Sequence, residues 1–225
     1  MTCLTLTIDV AREAVSQKAD LVVTHHPLPF RPVNRITEET PTGATLVELV
    51  TAGIGIWSGH TAWDSAAEGI NAMLAGILSL QDVAPLEPDE TDPCVGFGRM
   101  GTASSHDMID AVTQRLTAAL GCSGCTVAGD PNRSAGRIGI VCGSGGESVP
   151  LAAATGCQTL VTGEIKLHDA VEALARNMTV IAVGHHRSER FAMEHMAEKL
   201  HMVLPDLHCW ASTVEQDPLC WLPNR

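Results

Sequence analysis

Apolar runs alternate with helical patterns along the chain, the signature of sheets whose parallel strands are joined by crossover helices. Residues 4–8 read as a strand, 10–19 as a helix and 21–24 as a second strand. A loop holding Pro27, Pro29 and Pro32 follows. Residues 42–52 are helical, 54–58 form a strand, and 66–77 form another helix, rich in Ala, Met and Leu rather than β-branched residues. Pro85, Pro88, Pro93 and a run of acids then mark residues 81–94 as a connection. The second half repeats this alternation, with strands at 95–100, 126–128, 138–142, 159–161 and 179–183 and helices at 106–120, 148–155, 167–176 and 189–200. The expected fold class is therefore α/β: two related lobes with mixed, largely parallel sheets around a central cleft. Their bounds are 1–80 and 95–204, with 205–225 as a tail. The chain enters on a strand with no helix before it, so a partner covering that sheet face or a truncated start is expected.

Composition narrows the function classes. The 225 residues are 45% hydrophobic and carry a net charge of −12, with 10 His, 8 Cys and no Tyr. So acidic a chain, without a Lys/Arg cluster, repels polyphosphate backbones, and 3% aromatics supply few stacking platforms, so nucleic-acid binding is not expected. The start lacks a leader pattern and no long uncharged apolar run appears, so a cytoplasmic, non-membrane protein with reduced thiols is the expectation. Cys122 and Cys125 form a CxxC with no second pair at zinc-finger spacing, so the cysteines read as ordinary thiols.

The positions of the histidines carry the chemistry. LVVTHHP places His25 and His26 directly after an apolar strand; GIGIWSGHTAWD places His60 and Asp64 past another; VIAVGHHRSE places His185, His186 and Glu189 past a third. In open α/β sheets ligands bind outside the carboxyl ends of strands, so these groups can converge on one edge. His185 and Glu189 are i and i+4, on one face if a helix starts near Arg187. Imidazoles and carboxylates together suit Zn²⁺, Mn²⁺, Fe²⁺ or Ni²⁺, and two ions bridged by Asp64 or Glu189 use the set economically. His106, His195, His201 and His208 read as ordinary core or surface residues. TGEIKLHD puts Glu164 and His168 at another strand end. Glu164 is either a general base or a helix-start carboxylate favoured by the dipole, and with His168 it is the candidate proton carrier. The glycines from Gly143 read as a tight turn, since no phosphate-loop Lys accompanies them.

The segments THHPLPFRPVNRI, SGHTAWDSAAEGIN, GFGRMG, TGEIKLHDA and GHHRSE, in this order, resemble the NGG-interacting-factor-three-like family, also known as the GTP cyclohydrolase 1 type 2 family. The resemblance runs from about Ile8 to Leu200. It implies a two-lobed α/β fold, a ring-shaped homohexamer and a dinuclear metal site held by His25, His26, His60, Asp64, His185 and Glu189. His185 is preferred because the second His of that segment is commonly Tyr in relatives, which makes His186 a neighbour of the site. Ala62 stands where relatives commonly carry Asn. Relatives also carry an N-terminal helical segment that is missing here. The function implied is a metal-dependent hydrolase acting on a nucleotide or similar small molecule, with Arg31, Arg35 and Arg187 near the ligand segments as candidate phosphate contacts. The alternative is a non-enzymatic metal-binding or partner-binding assembly.

Overall fold

Short β-branched runs become the centres of two sheets, and crossover helices keep those strands parallel. The computed structural model describes residues 1–220. The chain divides into two units, Met1–Trp63 with Arg190–Pro218, and Asp64–Glu189. The expected boundary at 81–94 is not where the division falls. Residues 81–84 and 87–88 are strands instead, and the last long helix returns to the first strand of the chain. The last five residues of the expected 205–225 tail lie outside the described residues.

The first unit holds a three-stranded parallel sheet in the order β1 (Thr2–Cys3), β2 (Leu21–Thr24), β3 (Gly55–Ser58). Helix α1 (Ile8–Ser16) starts where Thr7 Oγ1 accepts from the amide of Val10, so no strand forms over the expected 4–8: the strand is Thr2–Cys3 and the chain turns from it into a helix. Thr40 caps α2 (Pro41–Ala52) in the same way, Pro41 opens it, and Gly53 closes it with φ +71. Buried Cys3, Leu6, Val10, Ala14, Val22, Leu49 and Ile54 make the core. Helix α3 (Thr61–Ser65) follows β3.

The second unit starts within α3 and continues with α4 (Ile70–Ile77), β4 (Gln81–Ala84), β5 (Glu87–Pro88), β6 (Gly96–Phe97), β7 (Arg99–Thr102) and α5 (Ile109–Leu120). Next come β8 (Thr126–Ala128), β9 (Arg137–Val141), a 3₁₀ turn Gly145–Ser148, α6 (Val149–Ala154), β10 (Thr159–Thr162), α7 (Leu167–Ala175), β11 (Thr179–Ala182) and α8 (His185–Arg190). Its main sheet runs β4-β7-β9-β10-β11-β8: β9, β10 and β11 are parallel, and the outer strands are antiparallel. The fold is thus mixed α/β, parallel where crossover helices join the strands. The helix α9 (Ala192–Val203) belongs to the first unit and packs on β1. Where one helix was expected over 189–200 there are two, because Phe191 separates α8 from α9.

Arg99 is 2% exposed and has no carboxylate beside it among the described residues. Its guanidinium donates to the carbonyls of Gly96, Gly98, Cys94, Ser65 and Ala66 at 2.6–3.2 Å. It thereby ties the residues just after Asp64 to β6 and β7.

Candidate metal centre

In the first unit, register places the ends of the three strands level, with Cys3 opposite Thr24 and Thr24 opposite Ser58. The ladder runs on past β2: the amides of His25 and His26 donate to the carbonyls of Cys3 and Leu4 at 2.9 and 2.8 Å. Ser58 Oγ donates to the carbonyl of His25 at 2.7 Å, and Thr24 Oγ1 to that of His26 at 3.0 Å. His60 has φ +35, a strained setting for a non-glycine residue and one that recurs at functional sites. The three rings gather as a result, with centroids 5.2 Å apart for His25–His26, 5.3 Å for His25–His60 and 5.9 Å for His26–His60. One nitrogen of each lies within 4.8 Å of the others, a donor set suited to a borderline divalent ion. Thr5 Oγ1 lies 2.9 Å from His26 Nδ1, which fixes the ring through one nitrogen and presents the other. Thr5 is itself held: the buried Glu215 accepts from the amides of Leu4 and Thr5 and pairs with Arg190 Nε at 2.9 Å. Burial pushes the Glu215 carboxyl up in spite of those partners. The region expected to be a tail thus supplies a support of His26.

In the second unit the same construction recurs. Val141, Thr162 and Ala182 are level across β9, β10 and β11, so the residues after each meet at one edge. His185 opens α8 itself, rather than preceding a helix that begins near Arg187. Its Nε2 lies 3.2 Å from Oε2 of the buried Glu189, and its Nδ1 2.5 Å from Oε1 of Glu164. Glu189, against the opposing effect of burial, and then Glu164 push the His185 imidazole up to about 9. Ser144 Oγ donates to Glu164 at 2.7 Å, and this bond, then His185, keeps the Glu164 carboxyl below its ordinary value. Gly143 (φ +61) turns the chain away from β9 so closely that a Cβ there would collide with Glu189 Oε1 and stand 3.1 Å from His185 Nε2. Its amide donates to Ser188 Oγ at 2.9 Å, and Ser188 Oγ donates to the carbonyl of His185 at 2.8 Å. Asp64 Oδ1 lies 3.2 Å from Sγ of Cys142, whose thiol is raised well above its usual value by burial and then by Asp64 and Glu189.

Comparison with known proteins places this pattern. The model of the DUF34/NIF3 (NGG1p interacting factor 3) family matches residues 1–218. The chain belongs to the DUF34/NIF3 family. A GTP cyclohydrolase 1 type 2 homolog of a Nostoc species is 31% identical over 96% of this chain and 81% of its own length. The NIF3 homolog of Schizosaccharomyces pombe is 31% identical over 95% and 81%. Among solved structures, a Staphylococcus aureus protein matches with TM-score 0.88 and 21% identity over 98% of this chain and 86% of that one. A Bacillus cereus protein related to NIF3 matches with TM-score 0.88 at 17% identity, covering 98% and 88%. At such identities these two show the shared fold.

Within this NIF3 chain the structure gathers His25, His26 and His60 in one unit, and brings His185, Glu189 and Glu164 together in the other. Asp64 joins Cys142 in that second unit. His168 is exposed on the first turn of α7, and among the described residues no hydrogen bond of its own ties it to the group. Arg35 pairs with Glu39 at 3.9 Å, and Arg187 reaches the carbonyl of Gly121 at 3.4 Å. His201 bonds the carbonyl of Leu207 and His208 stacks on Trp210, ordinary roles for both. Reading along the sequence missed Ser144, Ser188, Cys142, Asn71 and Glu215. Only the GSG run hinted at the cradle, and it looked like a turn.

Proposed function

We propose that this protein is a dinuclear metal-dependent hydrolase, with His25, His26, His60, Asp64, His185 and Glu189 as the ligands of two divalent ions. The gathering of three imidazoles at the strand ends of the first sheet carries this reading. The chemistry of the second unit's donors fits it: two carboxylates and an imidazole with one nitrogen already oriented by an acid, the carboxylate–histidine arrangement common behind metal ligands. When bound, such a pair supplies Lewis-acid polarisation and acidifies water toward neutral pH. Six protein ligands on two ions leave positions open for water and substrate. Zn²⁺, Mn²⁺, Fe²⁺ and Ni²⁺ all suit these donors. Glu164 is engaged by Ser144 and held acidic, which favours orienting His185 over acting as a base.

The substrate class that goes with this reading is a nucleotide or similar small molecule, in line with relatives called GTP cyclohydrolase 1 type 2 homologs. Assembly as a homohexamer belongs to the same proposal. Its support is the exposed apolar row Leu167, Val171 and Leu174 on α7. A cytoplasmic location is proposed with it, and no helix among the described residues is long and apolar enough to cross a membrane.

Metal analysis of the purified chain, followed by a hydrolysis screen of nucleotides and phosphoesters with Asp64→Ala as control, tests the reading. Stoichiometric metal and turnover that Asp64→Ala abolishes are expected. Bound metal with no Asp64-dependent turnover favours a metal-handling or partner-binding assembly, and absence of stoichiometric metal overturns both.

A further inference from the structure

Asp64 lies in α3, a helix of 5 residues with none buried, too short to fix a side chain through its own backbone. Two neighbours from other elements of the same unit do so instead. Asn71, in the first turn of α4, is 1% exposed. Its Nδ2 donates to the main-chain carbonyl of Asp64 at 3.1 Å, and its Oδ1 accepts from the amide of Cys142 at 2.8 Å. Cys142, the residue just after β9, then reaches the Asp64 carboxylate, with Sγ 3.2 Å from Oδ1. A carboxylate only accepts, so the thiol is the donor. Three residues thus close a ring of three hydrogen bonds that holds Asp64 by both its main chain and its side chain.

We propose that Asn71 and Cys142 are positioning residues that clamp the Asp64 carboxylate in its metal-binding orientation. The proposal rests on the assignment of Asp64 as a ligand. The amide of Asn71 sets the distance between α3 and the end of β9, since one side chain spans both with its donor and acceptor used in opposite directions. The thiol engages one carboxylate oxygen, Oδ1, and so sets the rotation of the carboxylate. A thiol is a weak donor, so it orients the oxygen while withdrawing little of the charge that a cation needs. Groups standing behind metal ligands in this way typically change metal affinity by about 10–100-fold when removed.

The test titrates the whole chain, stripped of metal, with Zn²⁺ alone in competition with a chromogenic chelator, and records thermal melts alongside. Asp64→Ala loses zinc affinity if the metal reading holds. Cys142→Ala and Asn71→Asp are expected to weaken binding by about 10–100-fold, whereas Cys142→Ser, which keeps a donor, stays close to wild type. Should Asn71→Asp melt below the assay temperature, the two Cys142 variants decide alone. Wild-type affinity in Cys142→Ala, alongside a weakened Asp64→Ala, overturns the clamp and leaves the metal reading intact. Equal losses in Cys142→Ala and Cys142→Ser overturn it too, because packing rather than a donated hydrogen bond is then at work. A thiolate charge-transfer band in the cobalt-loaded protein that disappears in Cys142→Ala overturns it by making Cys142 a ligand. Wild-type and Asp64→Ala chains that bind zinc alike overturn both proposals.

Discussion

Both units build their donor sets at the level carboxyl ends of three parallel strands, yet the two sets differ in charge and in how they are held. In the first unit the donors are imidazoles, and main-chain hydrogen bonds that extend the ladder past β2 fix His25 and His26. In the second they are Asp64, His185 and Glu189, fixed by side chains: Ser188 of the same helix α8, Asn71 of α4, and Glu164, Ser144 and Cys142. Neutral ligands need only position, and a backbone ladder provides it. Acids gathered in a partly buried edge repel one another, so they need donors and a cradle that compensate their charge. The second set is therefore the more vulnerable of the two.

Removing the scaffold behind Asp64 breaks that set most severely. Arg99→Ala takes one guanidinium from five carbonyls, two of them on the residues directly after Asp64. Hydrogen bonds to a charged group contribute about 1.5–3 kcal/mol each and buried acceptors left alone are costly, so a loss of about 4 kcal/mol is expected. Chemical denaturation of the wild type and the variant measures it. A loss under about 1 kcal/mol shows that the carbonyls find other donors.

Changing one charge sharpens the comparison without removing a scaffold. Glu189→Gln keeps the shape and removes the anion, and zinc affinity is expected to fall by more than about 100-fold, beyond the range for groups behind the ligands. The His185 imidazole then also loses the partner that holds its protonated form up to about 9, so its titration by NMR moves down. Unchanged affinity removes Glu189 from the ligand set.

Glu13, another buried acid of the first unit, acts on the fold rather than on the donors. Glu13 accepts from Ser212 Oγ at 2.5 Å, Thr213 Oγ1 at 2.7 Å and the amide of Thr213 at 2.9 Å. Burial pushes its carboxyl up, but these bonds outweigh burial and the net displacement is downward. An acid depressed in the folded state adds stability that is complete above its ordinary value and fades as pH falls through its folded value. Glu13→Gln is expected to lose about 2 kcal/mol at pH 7, and the difference from wild type shrinks below about pH 4. Urea midpoints across that range check both sign and size, and a gap that widens in acid refutes the assignment.

The strand-end rule made the gathering of His25, His26 and His60 and the place of His185 legible in the sequence, because each follows an apolar run. β2 at 21–24 and β8 at 126–128 were likewise legible to the residue. Residues 4–8 were not: Thr7 offers a helix cap, and local capping overrides an alternating apolar pattern. The division of the chain was hidden because Arg190–Pro218 joins the first unit through contacts distant in sequence, such as Thr2 Oγ1 donating to the carbonyl of Met193. Asn71, Cys142 and Ser188 left no signal, since each does its work through one or two long-range hydrogen bonds that no periodicity encodes.

Two glycines with left-handed backbones separate strain from crowding, and they give the smallest effect. Gly53 ends α2 with φ +71 and has open space where a Cβ would stand. Gly53→Ala therefore adds only backbone strain, about 1 kcal/mol, and leaves zinc binding as it was. Gly143 has nearly the same φ of +61, but its Cβ would fall on the Glu189 carboxylate, next to His185. Gly143→Ala meets the same strain and must also push the acid out of its cradle, so its stability loss is similar or larger and zinc affinity falls with it. Melting curves and zinc titrations of the pair decide the matter. If both variants keep wild-type affinity, the turn after β9 is only a turn, as its sequence suggested. Affinity lost in Gly143→Ala alone makes that turn a wall of the metal centre, and the dependence of the second unit on its side-chain surroundings stands confirmed.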